Sequence, residues 1–145
     1  MLSKALYFTL LILFLNYSVP TFGQNFESVM VDEITSIYDG DTFRVNIKSW
    51  PKIIGERVPI RVKGVDTPEL RGQCEAEKQL ARQAKQFTVA TLRAAKQVEL
   101  RALTRGKYFR IVAEVWVDGK NLADLLIEQK LGRPYQGRKT DFCSN

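Results

Sequence analysis

Two short stretches of the sequence contain acidic residues of the kind that bind a hard cation. The stretch "YDGDTF" carries Asp41, and the stretch "VDTPEL" carries Asp66 and Glu69. A divalent cation such as Ca²⁺ prefers carboxylate and backbone carbonyl oxygens and accepts irregular geometry. Because two nearby carboxylates repel each other, their proximity is favourable chiefly when a cation lies between them. Asp41, Asp66 and the carbonyl oxygen of Thr67 are therefore a candidate calcium site.

Each acidic stretch also has a simpler structural interpretation. In "YDGDTF", Asp39 and Gly40 have the turn chemistry of a hairpin, so that Asp41 only begins a strand. In "VDTPEL", Pro68 after Thr67 is an ordinary turn. Neither stretch alone distinguishes a metal site from a turn, and both interpretations remain open.

The residues able to catalyse a reaction are limited by composition, because the 145-residue chain contains no histidine. Ser-His-Asp and Cys-His hydrolases, histidine-ligated zinc enzymes and histidine-based nucleases are thereby excluded. Glu69 is then the strong candidate to take a proton from water beside a metal. The alternative is that Glu69 is a solvated acid paired with Arg71.

Two arginines would complete a site for phosphodiester chemistry. Cleavage of a phosphodiester builds negative charge on its oxygens, and planar guanidinium groups stabilise this charge with paired hydrogen bonds. Arg61 precedes Asp66 on the same predicted strand, and Arg110 ends the stretch "GKYFR". Each arginine alone would be interpreted as a surface charge. Together with the acids they form a chemically complete set.

The first half of the chain has strand periodicity, which places the acids at strand ends. We predict strands at Val29–Ile37 and Thr42–Ile47, joined by a turn at "YDGD". A third strand is predicted in "VPIRVKGV", where alternate residues are apolar and Arg61 points away from the apolar face. Asp41 would begin the second strand and Asp66 would end the third, so neighbouring strand ends would bring both acids to one edge.

The second half changes to helical periodicity and then returns to strands. One long amphipathic helix is predicted at about Glu75–Ala95. The residues of its predicted apolar face are Leu80, Ala84, Phe87, Thr91 and Ala94. Strands are predicted at Val98–Leu103 and Ile111–Val117, followed by a short helix capped by Asn121. This order predicts an α+β, mainly β fold: a five-stranded OB-fold barrel with a long helix after strand three and a short C-terminal helix.

The N-terminal 23 residues are typical of a secretory signal peptide, because Lys4 precedes an apolar run that is too short to span a bilayer. The alternative is an uncleaved membrane anchor, and either interpretation predicts export. Residues 24–145 are then expected to form one domain, which is periplasmic or secreted. The net charge of +6 for the whole chain favours a polyanionic partner.

The chain contains two cysteines, Cys74 and Cys143. In an oxidising compartment an even number of cysteines favours a disulfide. Such a bond would tie the C-terminal segment to the chain that follows "VDTPEL". Two free thiols are the alternative.

These motifs together resemble the staphylococcal nuclease (thermonuclease) family. The resemblance is carried by "ITSIYDGDTFRV", "VPIRVKGVDTPEL" and "GKYFRIVAEVWVDGKNLADLLIEQKLGRPY", which occur in the family's order. It implies an extracellular or periplasmic, Ca²⁺-dependent endonuclease that cleaves DNA and RNA on an OB-fold barrel and leaves 3′-phosphate ends. We expect single-stranded or frayed nucleic acid to be preferred. We also expect a monomer with no stable membrane association after signal cleavage.

The resemblance implies roles for individual residues. Asp41 and Asp66 resemble the metal carboxylates, and Thr67 resembles the ligand that binds through its carbonyl. Glu69 resembles the residue assigned as general base. The residues that resemble those near the phosphate and the base are Arg61, Arg110, Lys107, Tyr108 and Tyr135.

Two residues of "GKYFR" depart from the family pattern. Phe109 replaces the usual glycine, and Gly106 stands where an acid often stands. These departures bear on affinity and base preference more than on the cleavage chemistry.

Two other functions are compatible with a basic OB-fold domain. The first is a non-catalytic module that binds single-stranded nucleic acid, and the second is a disulfide-tied structural or protein-binding domain. The joint presence of the acids and arginines argues against the first.

Overall fold

The computed structural model describes residues 28–144. The expected signal peptide and its boundary at residue 24 lie outside the described residues. The strands are β1 (Ser28–Met30), β2 (Glu33–Ile37), β3 (Thr42–Asn46), β4 (Val58–Val62), β5 (Val65–Asp66), β6 (Val98–Arg105), β7 (Ile111–Val117), β8 (Lys120–Asn121) and β9 (Arg133–Pro134). The helices are α1 (Lys52–Gly55), α2 (Glu75–Ala94) and α3 (Leu122–Glu128), with a 3₁₀ turn at Lys107–Phe109.

The main sheet curls until its two edges approach each other. Its strand order is β1-β6-β7-β4-β3-β2, with β8 added to β7. The edge strands β1 and β2 are separated in the chain by only Val31 and Asp32. The amide of Val31 donates to the carbonyl of Val98 in β6, the neighbour of β1 (2.9 Å). The amide of Asp32 donates to the carbonyl of Asn46 in β3, the neighbour of β2 (3.0 Å). Two consecutive amides therefore bond to opposite ends of the sheet.

This curled sheet with three helices is the α+β, mainly β OB-fold architecture that the sequence predicted. Neighbouring strands of the main sheet pair antiparallel except β4 and β7, which are parallel. A parallel pair needs a long crossover connection, and α2 lies in the connection between these two strands.

The alternation predicted for the third strand is confirmed. In β4, Val58, Ile60 and Val62 are buried, whereas Pro59 and Arg61 are partly exposed. Further buried core residues come from β3, β6, β7 and α3, and they include Phe43, Val45, Leu100, Val115, Leu122 and Leu126. Arg61 therefore lies on the outer face of the sheet.

The segment predicted as one strand, Val29–Ile37, is two strands in the structure. The break at Val31 and Asp32 allows β1 to pair with β6 while β2 pairs with β3. Both halves have strand composition, so the residue pattern does not reveal the break. The helix α1 before β4 was not predicted either, because four residues are too few to show a helical repeat in the sequence.

Helix α2 ends within one residue of its predicted end, but its buried face differs from the prediction. The buried residues are Glu77, Ala81, Ala84, Thr88 and Leu92. Of the predicted face only Ala84 is fully buried, and Ala94 is exposed. The prediction was wrong because it assumed that polar residues face water, whereas Glu77 and Thr88 are buried and hydrogen-bonded.

The short helix α3 begins as predicted at Asn121, whose side-chain Oδ1 accepts a hydrogen bond from the amide of Ala123 (2.8 Å). Its buried residues Leu122 and Leu126 belong to the hydrophobic core of the barrel. Across residues 28–144 there is no helix with the length and apolar character needed to cross a membrane.

Candidate active site

Asp41, Arg61 and Asp66 form the centre of the candidate site. Nη1 of Arg61 donates to Oδ1 of Asp41, and Nη2 of Arg61 donates to Oδ1 of Asp66 at 3.0 Å. The Asp41 side chain is fully buried and that of Asp66 nearly so, whereas Arg61 remains partly exposed. One guanidinium is thus shared between two buried carboxylates.

The pairing of β3 with β4 brings these residues together. Asp41 immediately precedes β3, and the first residue of that strand, Thr42, pairs with Arg61. The carbonyl of Asp41 accepts a hydrogen bond from the amide of Val62 (2.8 Å). Asp66 follows β4 after one tight turn. Two acids that are distant in the sequence therefore share one edge of the sheet.

Further donors fix the orientation of the Asp41 carboxylate. The amide of Thr67 donates to Oδ2 of Asp41 (2.9 Å), and the hydroxyl of Thr42 donates to Oδ1 (3.1 Å). The amide of Asp41 itself donates to Oδ1 of Asp39 (3.2 Å). Thr67, the predicted carbonyl ligand, is therefore adjacent to both predicted metal carboxylates.

Burial raises the pKa of Asp41 to about 7, against the lowering effect of the Arg61 charge and with a further increase from Asp39. Burial also raises the pKa of Asp39. A buried carboxylate that is costly to ionise is stabilised by a cation bound to it. Two carboxylates and a backbone carbonyl give an all-oxygen donor set, which fits a hard divalent cation such as Ca²⁺.

Helix α2 holds the turn before Asp41 in place. The hydroxyl of Thr88 donates to the carbonyl of Gly40 at 2.7 Å. A Cβ at Gly40 would lie 2.9 Å from the Cβ of Ala84 and 2.9 Å from Cγ2 of Thr67, closer than side chains pack. The glycine is therefore required by the close approach of Ala84 in α2 and of Thr67 to the turn.

Glu69, the predicted general base, lies on the turn that follows Asp66. Its carboxylate is 3.5 Å from Nζ of Lys139, and its side chain is 40% exposed. Within residues 28–144, the ion pair of Glu69 is formed with Lys139 and not with Arg71, the partner considered from the sequence. Glu69 is thus accessible to water beside the two buried acids.

Glu77 is a site residue that the sequence analysis missed. Its buried carboxylate accepts hydrogen bonds from the amides of Glu69 (3.2 Å) and Gln73 (2.9 Å). A Cβ at Gly72 would lie 2.3 Å from the carboxyl carbon of Glu77, so a larger residue here would displace this carboxylate. The sequence shows only an acid in the first turn of a helix, which is common for reasons unrelated to a site.

Arg110 and Tyr108 line a cleft of about 520 Å³ on the outside of the sheet. Thr42 lines the same cleft, and its hydroxyl donates to Asp41. Thr42 therefore connects the cleft to the acidic cluster.

The two arginines of the predicted site lie on the same face of the sheet. Val112 of β7 pairs with Arg61, and Arg110 precedes Val112 by two residues in extended backbone. Residues two apart in a strand share a face. Lys107 begins the turn before Arg110 and is exposed. The structure thus places Arg61 and Arg110 on one face of the sheet, with Tyr108 beside Arg110 in the cleft.

The C-terminal segment covers the Asp66 side of the site. Arg133 of β9 pairs with Asp66, and the amide of Thr140 donates to Oδ2 of Asp66 (2.7 Å). The amide of Tyr135 donates to the carbonyl of Gly64 (3.0 Å), and its side chain is exposed. Tyr135, which the family resemblance made a candidate for contact with the base, therefore lies close to the Asp66 side of the site.

Cys74 and Cys143 form a disulfide, with their Cα atoms 5.9 Å apart. The bond ties the C-terminal segment to the start of α2. Glu77 lies close to both sulfurs, a grouping that resembles a metal site. Both sulfurs are bonded to each other and are not thiolates, so this group does not offer a thiolate metal site.

The fold and the cluster define an OB-fold protein whose site suits a divalent cation and a phosphate. The family model described as staphylococcal nuclease homologue matches residues 59–143, more than half of the chain. The chain therefore belongs to the staphylococcal nuclease homologue family, as its motifs indicated, and its function is of the nuclease type. The comparison with curated proteins found no match.

The matched residues include Arg61, Asp66, Glu69 and Arg110 but begin after Asp41. The contact of Asp41 with Arg61 places it in the same cluster. The chemical roles assigned to these residues from the sequence stay predictions.

Proposed function

We propose that this chain is an exported, Ca²⁺-dependent endonuclease that hydrolyses phosphodiester bonds of DNA and RNA. The observation that carries the proposal is the guanidinium of Arg61 shared between the buried carboxylates of Asp41 and Asp66. Apolar residues of similar volume often stabilise a fold as well as buried ion pairs do, so such a cluster suggests a functional role. Membership of the nuclease family supplies the reaction class.

Asp41, Asp66 and the carbonyl of Thr67 would hold the Ca²⁺ ion. The ion would offset the charge of the two carboxylates and polarise a phosphodiester oxygen. The two acids would then depend less on the charge of Arg61. Its paired donors would become available to the phosphate, which is the geometry that a guanidinium favours.

Glu69 would orient or deprotonate the attacking water. It is partly exposed and lies on the turn directly after Asp66 and Thr67. Arg61 and Arg110 share a face of the sheet and would stabilise the negative charge on the five-coordinate phosphorus and the departing oxygen. These roles divide proton transfer and charge stabilisation between different residues.

The family resemblance supports the finer parts of the proposal. Cleavage would leave 3′-phosphate ends, and single-stranded or frayed nucleic acid would be preferred. Lys107, Tyr108 and Tyr135 would contact the substrate. The mature protein would be a monomer, periplasmic or secreted, without stable membrane association.

The test is cleavage of end-labelled DNA and RNA by the purified protein, with Ca²⁺ and with a chelator. We expect cutting that requires Ca²⁺ and yields ends that a polymerase extends only after phosphatase treatment. The Glu69→Gln variant should cut at least about 100-fold more slowly, since general-base catalysis contributes this much. Glu128→Gln, which alters an exposed acid of α3, is the matched control and should cut normally.

Two results would contradict the proposal. Retention of the strand without cutting would favour the non-catalytic binding module. No interaction with nucleic acid would favour the structural domain.

A further inference from the structure

An apolar groove lies beside the cleft that contains Tyr108 and Arg110. Its volume is about 730 Å³, and its walls come from α1, β4 and the adjoining ends of β6 and β7. The large apolar side chains that line it include Trp50, Ile53, Ile54, Leu103, Phe109 and Ile111. The residues given metal-binding and catalytic roles above lie outside this groove.

The groove and the cleft adjoin each other. The 3₁₀ turn separates them, because Tyr108 and Arg110 line the cleft whereas Phe109 lines the groove. Pro59 lines both. A linear polymer bound across this turn would therefore contact the cleft and then the groove.

Several large apolar side chains at the groove are exposed to water. Ile53 is 92% exposed, Phe109 is 80% exposed, and neighbouring Tyr108 is 84% exposed. Single exposed apolar residues are common in soluble proteins, but a contiguous group of them is typical of a binding surface.

The backbone of the turn is strained in a way that burial does not offset. Tyr108 has a φ of 56° and Phe109 a φ of 59°. Glycine adopts this region readily, whereas other residues do so at a cost in free energy. Since the Phe109 ring is exposed, its packing does not recover this cost. Strain that presents a side chain to solvent is typical of a functional site.

Basic side chains lie around the groove, and Glu56, an acid that lines it, is paired with Lys52 at 3.6 Å. Arg105 lines it, and the guanidinium carbon of Arg105 lies 5.4 Å from the centre of the Phe109 ring. Lys107 begins the turn, and Arg57 lies between two lining residues. An apolar and aromatic surface with cations beside it matches a nucleobase attached to a phosphate backbone.

We propose that this groove binds an unpaired base of the substrate strand, next to the nucleotide held in the cleft. Phe109 would provide the stacking surface, and Arg105 and Lys107 would contact the adjoining phosphates. The inference rests on the proposed nuclease function and adds to it a second nucleotide site. A paired base is held within its duplex and does not enter the groove, so the site would favour single strands.

The test compares Phe109→Gly with the parent protein in binding assays. Glycine adopts the φ of this position without strain, so the variant removes the ring and keeps the turn. Both proteins carry Glu69→Gln so that bound strands are not cut. The probes are a fluorescent single-stranded octathymidylate and thymidine 5′-monophosphate, each with Ca²⁺ present.

We expect Phe109→Gly to weaken octathymidylate binding by about 5- to 100-fold, the effect of losing one base–aromatic stack. Binding of the monophosphate, which occupies only the cleft, should not change. Ile53→Ser should also weaken octathymidylate binding. Because Ile53 is 92% exposed, this substitution leaves the core intact. Met30→Ala removes an exposed apolar side chain on β1 and is the control that should have no effect.

Unchanged octathymidylate affinity in Phe109→Gly would overturn the assignment of the groove. The nuclease proposal would still hold in that case if the protein that retains Glu69 cuts nucleic acid. An equal loss of monophosphate affinity would also overturn the assignment of the groove, because Phe109 would then support the cleft. A dimer in sedimentation experiments that Phe109→Gly abolishes would assign the groove to a second copy instead. Failure of the protein with Glu69 to cut would overturn the nuclease proposal separately.

Discussion

The charge state of Asp41 depends on a balance between burial and its hydrogen-bond donors. The Arg61 guanidinium, the Thr67 amide and the Thr42 hydroxyl all donate to its carboxylate, which favours the ionised form. Complete burial favours the neutral form and is the stronger effect, so the pKa rises to about 7. Binding of a cation would shift this balance towards the ionised carboxylate.

We predict that the metal-free protein loses stability as the pH rises from about 4 through 7. Because the pKa of Asp41 is about 7 when folded and has an ordinary value of 3.8, the folded state binds the proton more tightly than the unfolded state does. The loss is at most about 1.4 kcal/mol per pH unit from this group. Urea unfolding in the presence of a chelator at several pH values measures it.

Asp41→Asn cannot ionise and should flatten this part of the pH profile. Asp124→Asn, which alters an exposed acid of α3, should leave the profile unchanged. A metal-free wild-type protein whose free energy of unfolding rises steadily across the same interval would contradict the assignment to Asp41.

At the scale of elements, α2 positions two parts of the site through buried polar side chains. Thr88 bonds to the turn before Asp41, and Glu77 bonds to the amide of Glu69. Both residues belong to the buried face of the helix. The helix therefore contacts the acidic cluster through Thr88 and the turn that carries the predicted base through Glu77.

We predict that Glu77→Gln lowers kcat by about 10- to 100-fold while the affinity for Ca²⁺ stays the same. Glu77 touches neither the metal ligands nor the cleft but fixes the turn that carries Glu69, and small misplacements of a catalytic group have effects of this size. Gly72→Ala should act similarly, because its Cβ would displace the Glu77 carboxylate. Steady-state kinetics and calorimetric Ca²⁺ titration measure the two quantities.

Glu75→Gln is the matched control for that prediction. Glu75 lies in the same helical turn as Glu77 but is exposed and paired with Arg82. Equal effects of Glu75→Gln and Glu77→Gln, or a parallel loss of Ca²⁺ affinity, would contradict a positioning role for Glu77.

Sequence periodicity predicts an element when its exposed and buried faces differ in polarity. The strand β4 meets this condition, and so Arg61 was placed correctly on the outer face. Helix α2 does not meet it, because Glu77 and Thr88 are buried and bond to backbone groups outside the helix, in the turn before it and in the turn before Asp41. Local sequence does not show such partners, which is why the buried face was misassigned and Glu77 was missed.

At the scale of the whole molecule, the site depends on contacts between distant parts of the chain. The curled sheet places Asp41 beside Arg61, and the C-terminal segment reaches Asp66 through the amide of Thr140. The disulfide between Cys74 and Cys143 fixes that segment against the start of α2. The residue types indicated the chemistry, and the predicted strands indicated that Asp41 and Asp66 share one edge of the sheet. The contacts of Thr140 and Thr88 with the site have no local sequence signal and were not predicted.

The most direct test of the account is a calorimetric Ca²⁺ titration of the wild-type protein, Asp41→Asn, Asp66→Asn and the double variant. We predict one site in the wild type and a loss of affinity on the order of 100-fold in each single variant, because each removes one charge next to the cation. The double variant should depart from additivity, as expected for groups that share a site. Unchanged affinity in Asp41→Asn, or effects of the two variants that simply add, would contradict a single site formed by both acids.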